Sequence, residues 1–201
     1  MTKLQKSKQE KPAPKKTKRP VMQGRGHSDS MQTPTWALEP LFKYMDKNYI
    51  YWEPACGKGY LVDEMRGRGY KVKWSDIARD PREDFFKFEP KQWDVIITNP
   101  PFSEKNEWLE RCYKLGKPFA LLLPYTALET PARQALFRCY GIEVIFMDKR
   151  VSFETPNGGS SSWFPTAWFT RGLGVGKQME FYEYPVGYDF GSKAASNIEG
   201  D

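Results

Sequence analysis

The chain has 201 residues, 39% hydrophobic and 15% aromatic, enough for one ordinary α/β domain with tails and too few for two full domains. No apolar stretch approaches the roughly 20 residues of a membrane-spanning helix, and the Lys-rich start lacks the apolar segment of a secretory signal. Three cysteines without pair spacing and one histidine, His27, argue against a disulfide framework, a zinc site or a Ser-His-Asp hydrolase.

The formal net charge of +6 is unevenly placed: residues 1–26 hold nine Lys or Arg, Lys15, Lys16, Lys18 and Arg19 among them, against the single acid Glu10. The tail is therefore +8 and the remainder −2. With almost no large apolar side chains, 1–26 is expected to be a disordered basic tail. Its functional reading is an arm that adds salt-dependent, sequence-blind affinity for nucleic acid; a solubilising tail or a nuclear import signal are the alternatives. An intracellular, cytoplasmic protein is expected, with a nuclear location open. The far end, 187–201, is small and polar and is expected to fray.

Within the body, 27–186, Thr33-Pro34 precedes an apolar-periodic stretch, Trp36 to Met45, that suits a helix. Tyr49 to Glu53 reads as a strand, Pro54 to Gly59 as a glycine-bearing turn, and Tyr60 to Arg68 as the helix it opens. Strands follow at Lys71–Ser75, Asp94–Thr98, Phe119–Leu123 and Ile142–Met147. Helices separate the last three, one closed by Gly116 and one expected to start from Thr130 as N-cap with Pro131 in its first turn. Alternating strands and helices predict a mostly parallel twisted sheet covered on both faces. Trp163–Thr170 and Met179–Tyr184 predict a C-terminal antiparallel hairpin, and Thr155–Ser162, rich in Gly and Ser, predicts a mobile loop.

Two motifs carry chemistry. Glu53-Pro54-Ala55-Cys56-Gly57-Lys58-Gly59 sits where a strand passes into a helix, so its glycines let backbone approach a ligand beside helix N–H donors. Asp76 ends the next strand, where an acid can accept both hydroxyls of a ribose. A tight turn is the bland alternative for this motif. The second motif, Asn99-Pro100-Pro101-Phe102, directly follows an apolar strand. Its prolines remove two donors and preset their carbonyls, Asn99 adds a side-chain acceptor, and Phe102 adds a flat apolar face. Those groups fit an exocyclic amine on a flat ring: two acceptors hold its hydrogens and turn its lone pair toward an electrophile, with an ordinary turn capped by Ser103 before the next helix as the bland alternative.

Together these motifs resemble the class I S-adenosylmethionine-dependent methyltransferases, and within them the adenine-N6 amino-methyltransferases, including small phage-type DNA adenine methylases. The resemblance spans about Thr33 to Tyr184. It implies a Rossmann-like methyltransferase domain with Asn99, Pro100, Pro101 and Phe102 as catalytic residues. It also implies that Thr33, Pro34 and Glu53 through Gly59, including Pro54, Ala55, Cys56 and Gly57, hold S-adenosylmethionine with Asn99. Asp76 would bind its ribose, Ile77 would lie beside its adenine, and Asp84 and Phe85 would hold that adenine by amine and ring face. No Pro-Cys pair exists for cytosine carbon-5 chemistry, and no metal is implied. The expected reaction is methyl transfer to adenine N6 in DNA by direct attack, with RNA as the close rival and a protein glutamine amide as a further alternative. Nucleic-acid contacts are expected from Lys15, Lys16, Lys18 and Arg19 and, around the Gly/Ser-rich loop, from Arg150, Phe153 and Trp163.

Overall fold

The computed structural model of the chain describes residues 31–157, 159–162 and 164–191. The expected contacts Lys15, Lys16, Lys18, Arg19 and Trp163 lie outside the described residues. A 3-10 turn, Thr35–Leu38, leads into α1 (Glu39–Phe42), β1 (Ile50–Glu53), α2 (Tyr60–Gly67), β2 (Lys71–Trp74) and β3 (Val95–Thr98). Then come α3 (Lys105–Leu115), β4 (Phe119–Pro124), α4 (Pro131–Tyr140), β5 (Glu143–Met147), β6 (Phe153–Glu154), β7 (Ser160–Ser161), β8 (Thr166–Arg171) and β9 (Met179–Tyr182).

Seven strands form one sheet in the order β2-β1-β3-β4-β8-β5-β9, and β6 pairs with β7 separately. Successive residues of a strand face opposite sides, and the core divides accordingly. Tyr51, Val95, Ile97, Ala120, Leu122, Ile145 and Trp168 pack with Leu38, Leu41, Leu61, Val62 and Met65 on one face. Trp52, Ile96, Phe119, Leu121, Leu123, Val144 and Phe169 pack with Trp108, Leu109 and Cys112 on the other, where Leu136 and Phe137 also lie. Helices α1 and α2 thus cover one face, and α3 and α4 the other. This is the Rossmann-like, doubly wound arrangement that the alternating pattern predicts.

Four local expectations need correction. The C-terminal strands do not form a hairpin: β8 runs antiparallel between β4 and β5, while β9 lies beyond β5 and parallel to it. Burial explains the choice, because Ala167, Trp168 and Phe169 are fully buried and need sheet neighbours on both sides, whereas Phe181 on β9 is 72% exposed. Thr130 makes no side-chain cap and has φ 78, although Pro131 does occupy the first turn of α4. The first helix is a 3-10 turn followed by a single α-turn, with Pro40 in that turn. Finally, part of the Gly/Ser-rich loop is a hairpin, because β6 and β7 pair through Phe153 with Ser161 and Glu154 with Ser160.

Ordered contacts also run past residue 186. Tyr188 and Phe190 form ring contacts with Tyr184, and Phe190 meets Trp36 edge to face at 5.1 Å. No helix among the described residues is long and apolar enough to cross a membrane.

Candidate functional site

The strand that follows β1 in the chain lies on one side of it, and β3 lies on the other. The carboxyl ends of β1 and β3 therefore flank a topological switch point, where doubly wound sheets bind ligands. Glu53 ends β1 and Asn99 follows β3, and a small pocket there is lined by Thr33, Glu53, Ala55, Cys56, Gly57 and Asn99, together with Gln32 and Tyr60. The parallel register, Tyr51 opposite Val95 and Trp52 opposite Ile96, brings these two loops level.

Three buried polar atoms at this junction make no hydrogen bond of good geometry among the described residues, Glu53 Oε2, Thr98 Oγ1 and Asn99 Oδ1, although the Thr98 hydroxyl lies close enough to the Glu53 carboxyl to act on its ionisation. Unpaired buried acceptors are costly. The other Glu53 oxygen accepts from the Ala55 N–H at 3.0 Å. Burial pushes the Glu53 carboxyl up to about 8, with the adjacent Thr98 hydroxyl and the Ala55 N–H offsetting part of the rise and the Asp76 charge adding to it. Burial likewise pushes the Cys56 thiol up to about 12, leaving it a neutral wall at physiological pH.

The glycine loop is held from two sides. Asp76 Oδ2 accepts from the Gly57 N–H at 2.7 Å and Oδ1 from the Ala78 N–H at 2.8 Å, while the Arg79 guanidinium donates to the Gly57 carbonyl. Gly57 has φ +54, and a Cβ there would come within 2.5 Å of Gln32 Oε1. The positive φ favours glycine there, whereas the close approach is to the movable end of the Gln32 side chain. Gln32 Oε1 in turn accepts from the Lys58 N–H at 2.7 Å, and the Gln32 backbone pairs in both directions with Glu154 of β6. Glu154 completes the tie through Lys58 Nζ at 2.7 Å and the Tyr60 hydroxyl at 3.2 Å.

The remaining expected residues divide. Pro54 and Pro100 are buried, and Gly59 caps α2 with φ 94. Pro34 lines a second, larger cavity next to the pocket. Ile77 is 56% exposed. Asp84 accepts from the Phe86 N–H and Lys87 Nζ, and the Lys87 ammonium holds its carboxyl below the usual carboxylate range. Phe85 is buried in the core, stacked 4.0 Å from Trp108 with Trp52 also against it. Its near neighbour Phe86 is the more exposed ring. Phe102 is partly buried and meets Phe153 edge to face at 6.0 Å. Phe153 itself is 5% exposed, so it backs Phe102 from inside the core. Arg150 is exposed, with Nη1 3.5 Å from the Ser162 carbonyl.

Gln32 and Glu154 are missed by sequence reasoning. Their contacts with the glycine loop span 26 and 96 residues, so no local spacing signals them. Among the described residues, no group of three or more His, Cys, Asp or Glu is arranged to hold a metal ion.

No family model matches the chain, and no curated protein matches it. Among solved structures, it is similar to a modification subunit assigned to a type I restriction enzyme from Vibrio vulnificus, with 13% identity and a TM-score of 0.44, covering 77% of this chain and 47% of that one. It is also similar to a protein assigned as an RNA methyltransferase from Pyrococcus horikoshii, with 12% identity and a TM-score of 0.40, covering 67% of this chain and 80% of that one. The chain thus spans about half the length of the first of these.

Proposed function

We propose that the chain transfers a methyl group from S-adenosylmethionine to the N6 amine of adenine in DNA. The observation that carries this reading is the Asn99 side-chain oxygen, buried without a partner at the switch point and sharing one pocket with Glu53 and Gly57. An acceptor kept dry and unpaired costs stability in the free protein, and a ligand N–H repays it. When bound, S-adenosylmethionine supplies an electrophilic sulfonium methyl group.

The donor set suits that cofactor. Glu53 Oε2 makes no hydrogen bond of good geometry and offers a carboxylate for an amino-acid ammonium, which would favour ionisation of a group that burial otherwise keeps neutral. Asp76 fixes the loop through the Gly57 N–H, and its oxygens retain lone pairs for ribose hydroxyls. Asn99 Oδ1 and the Pro100 carbonyl receive the two hydrogens of the target amine and turn its lone pair toward the methyl group. Phe102, braced by Phe153, stacks on the extruded base.

The pocket with Gln32 seated has a volume of only ≈ 30 Å³, about one water. Small-molecule sites run to roughly 300–1,000 Å³. Occupation of this pocket by the cofactor therefore requires the Gln32 side chain to move off the glycine loop. The test is transfer of tritium from labelled cofactor to duplex DNA, single-stranded DNA, RNA and protein, followed by nucleoside analysis. Label in N6-methyldeoxyadenosine is the expected result; label confined to RNA or to glutamine would replace the substrate, and none in any polymer would end the reading.

A further inference from the structure

Beside the Asn99 pocket lies a second cavity of ≈ 380 Å³, and both are lined by Gln32 and Tyr60. The Trp36 and Phe190 rings, Lys149 and Arg150 and the hydroxyl-bearing Ser152 line it, with Glu154 as its acid. The Glu154 carboxylate already faces the Lys58 ammonium at 2.7 Å. The charge the cavity presents to a ligand is therefore the positive charge of Lys149 and Arg150, both exposed. Lys149 Nζ lies over the Phe190 ring, 5.0 Å from its centre, which holds a cation on one aromatic face. Phe190 is held in place by Trp36, Tyr184 and Tyr188. A preset ring with a cation held over one of its faces matches a flat base carrying a phosphate.

We propose that this cavity takes one nucleotide of the acceptor strand next to the nucleotide being methylated, its base against the Phe190 ring, which the buried Trp36 backs edge to face, and its phosphate on Lys149 and Arg150. The proposal rests on the methyl-transfer reading for the identity of the neighbouring site. The volume is ample for one nucleotide and too small for a duplex. Strand and site are thereby aligned through groups that read no base edge, so the cavity supplies register and not sequence preference.

The test is fluorescence anisotropy of the full chain with a labelled twelve-nucleotide single-stranded DNA, without cofactor, over a salt series around 0.2 M, where long-range tail attraction is screened. Phe190→Ala should weaken binding about ten-fold with the salt slope unchanged, because the base loses its stack while every phosphate stays neutralised. Lys149→Glu combined with Arg150→Glu should weaken binding and lower the salt slope by about 0.7, the value for the one single-strand phosphate no longer neutralised. Both residues are exposed, so this pair keeps the test valid if Phe190→Ala fails to fold. Wild-type affinity in the folded variants would overturn the proposal, as would a loss confined to cofactor affinity. Saturable binding of adenosine 5′-monophosphate that the oligonucleotide does not displace would reassign the cavity to a free nucleotide and overturn the strand proposal. Both predicted losses without methyl transfer to any polymer would leave the cavity standing and fall on the methyl-transfer reading alone.

Discussion

Replacing Glu53 by Gln separates what this carboxyl costs the fold from what it gives the site. The group titrates near 4.5 in the unfolded chain and is pushed up to about 8 in the fold. Between those values the folded state keeps a proton that the unfolded state has released. Stability from this group is therefore fully present below pH 4.5 and is lost as pH rises toward 8. At about 1.4 kcal/mol per pH unit, the loss reaches up to about 3 kcal/mol at pH 7 and up to about 5 over the whole window. Glutamine cannot ionise. In Glu53→Gln that part of the slope disappears, so the variant should match wild type near pH 5 and exceed it by up to about 3 kcal/mol at pH 7. Urea unfolding of both proteins at half-unit pH steps, with equal m-values, measures the difference. Calorimetry of S-adenosylmethionine binding at pH 7 in two buffers supplies the functional half: wild type should release close to one proton on binding, and the variant should bind more weakly without that release. Parallel stability curves from pH 5 to 8 would show that Glu53 is not held neutral in the fold, and the assignment of its carboxylate to an ammonium would lose its basis.

Four further outcomes are expected. Asn99→Ala should lower transfer about 10²–10³-fold while cofactor affinity stays within a few-fold, since the lost acceptor acts on the target amine; an equal loss of cofactor affinity by calorimetry would place Asn99 in the cofactor pocket alone. Asp76→Ala strands the Gly57 and Ala78 N–H groups; each charge-assisted bond is worth roughly 1.5–3 kcal/mol, so cofactor affinity and thermal stability should fall together, and a fall in neither would remove Asp76 from the loop. Phe85→Ala, which removes a ring stacked on Trp108 with Trp52 tilted against it, should cost about 3–5 kcal/mol in urea unfolding; a loss below about 1 kcal/mol with weakened cofactor binding would restore it to the adenine contact. Removing residues 1–26 should weaken DNA binding and flatten its salt dependence without changing turnover of bound substrate, and an unchanged salt slope in anisotropy would leave the segment as a solubility tail.

Much of this molecule is written locally. The runs at 95–98 and 119–123 are apolar on both faces, and the two core clusters sort their residues alternately, Val95 and Ile97 to one side and Ile96 to the other. Glycine at 57 and 59 marks the loop because positive φ is a single-residue requirement, legible wherever it occurs. The order of the two motifs, each at the end of a strand, is likewise a property of the chain read in one direction. Tertiary structure decided what depends on partners far away. β8 lies between β4 and β5 because its buried Trp168 needs both neighbours, and no spacing within 163–184 encodes which strands those are. Phe85, by the family resemblance, and Phe153, as a flank of the Gly/Ser-rich loop, are expected to face ligands, yet both are buried, since a ring beside a site is drawn into whichever apolar cluster completes its burial. The Gln32 side chain reaches the glycine loop only because Glu154 of β6 pairs with its backbone, a contact between segments whose separation in sequence bears no relation to their distance in the fold.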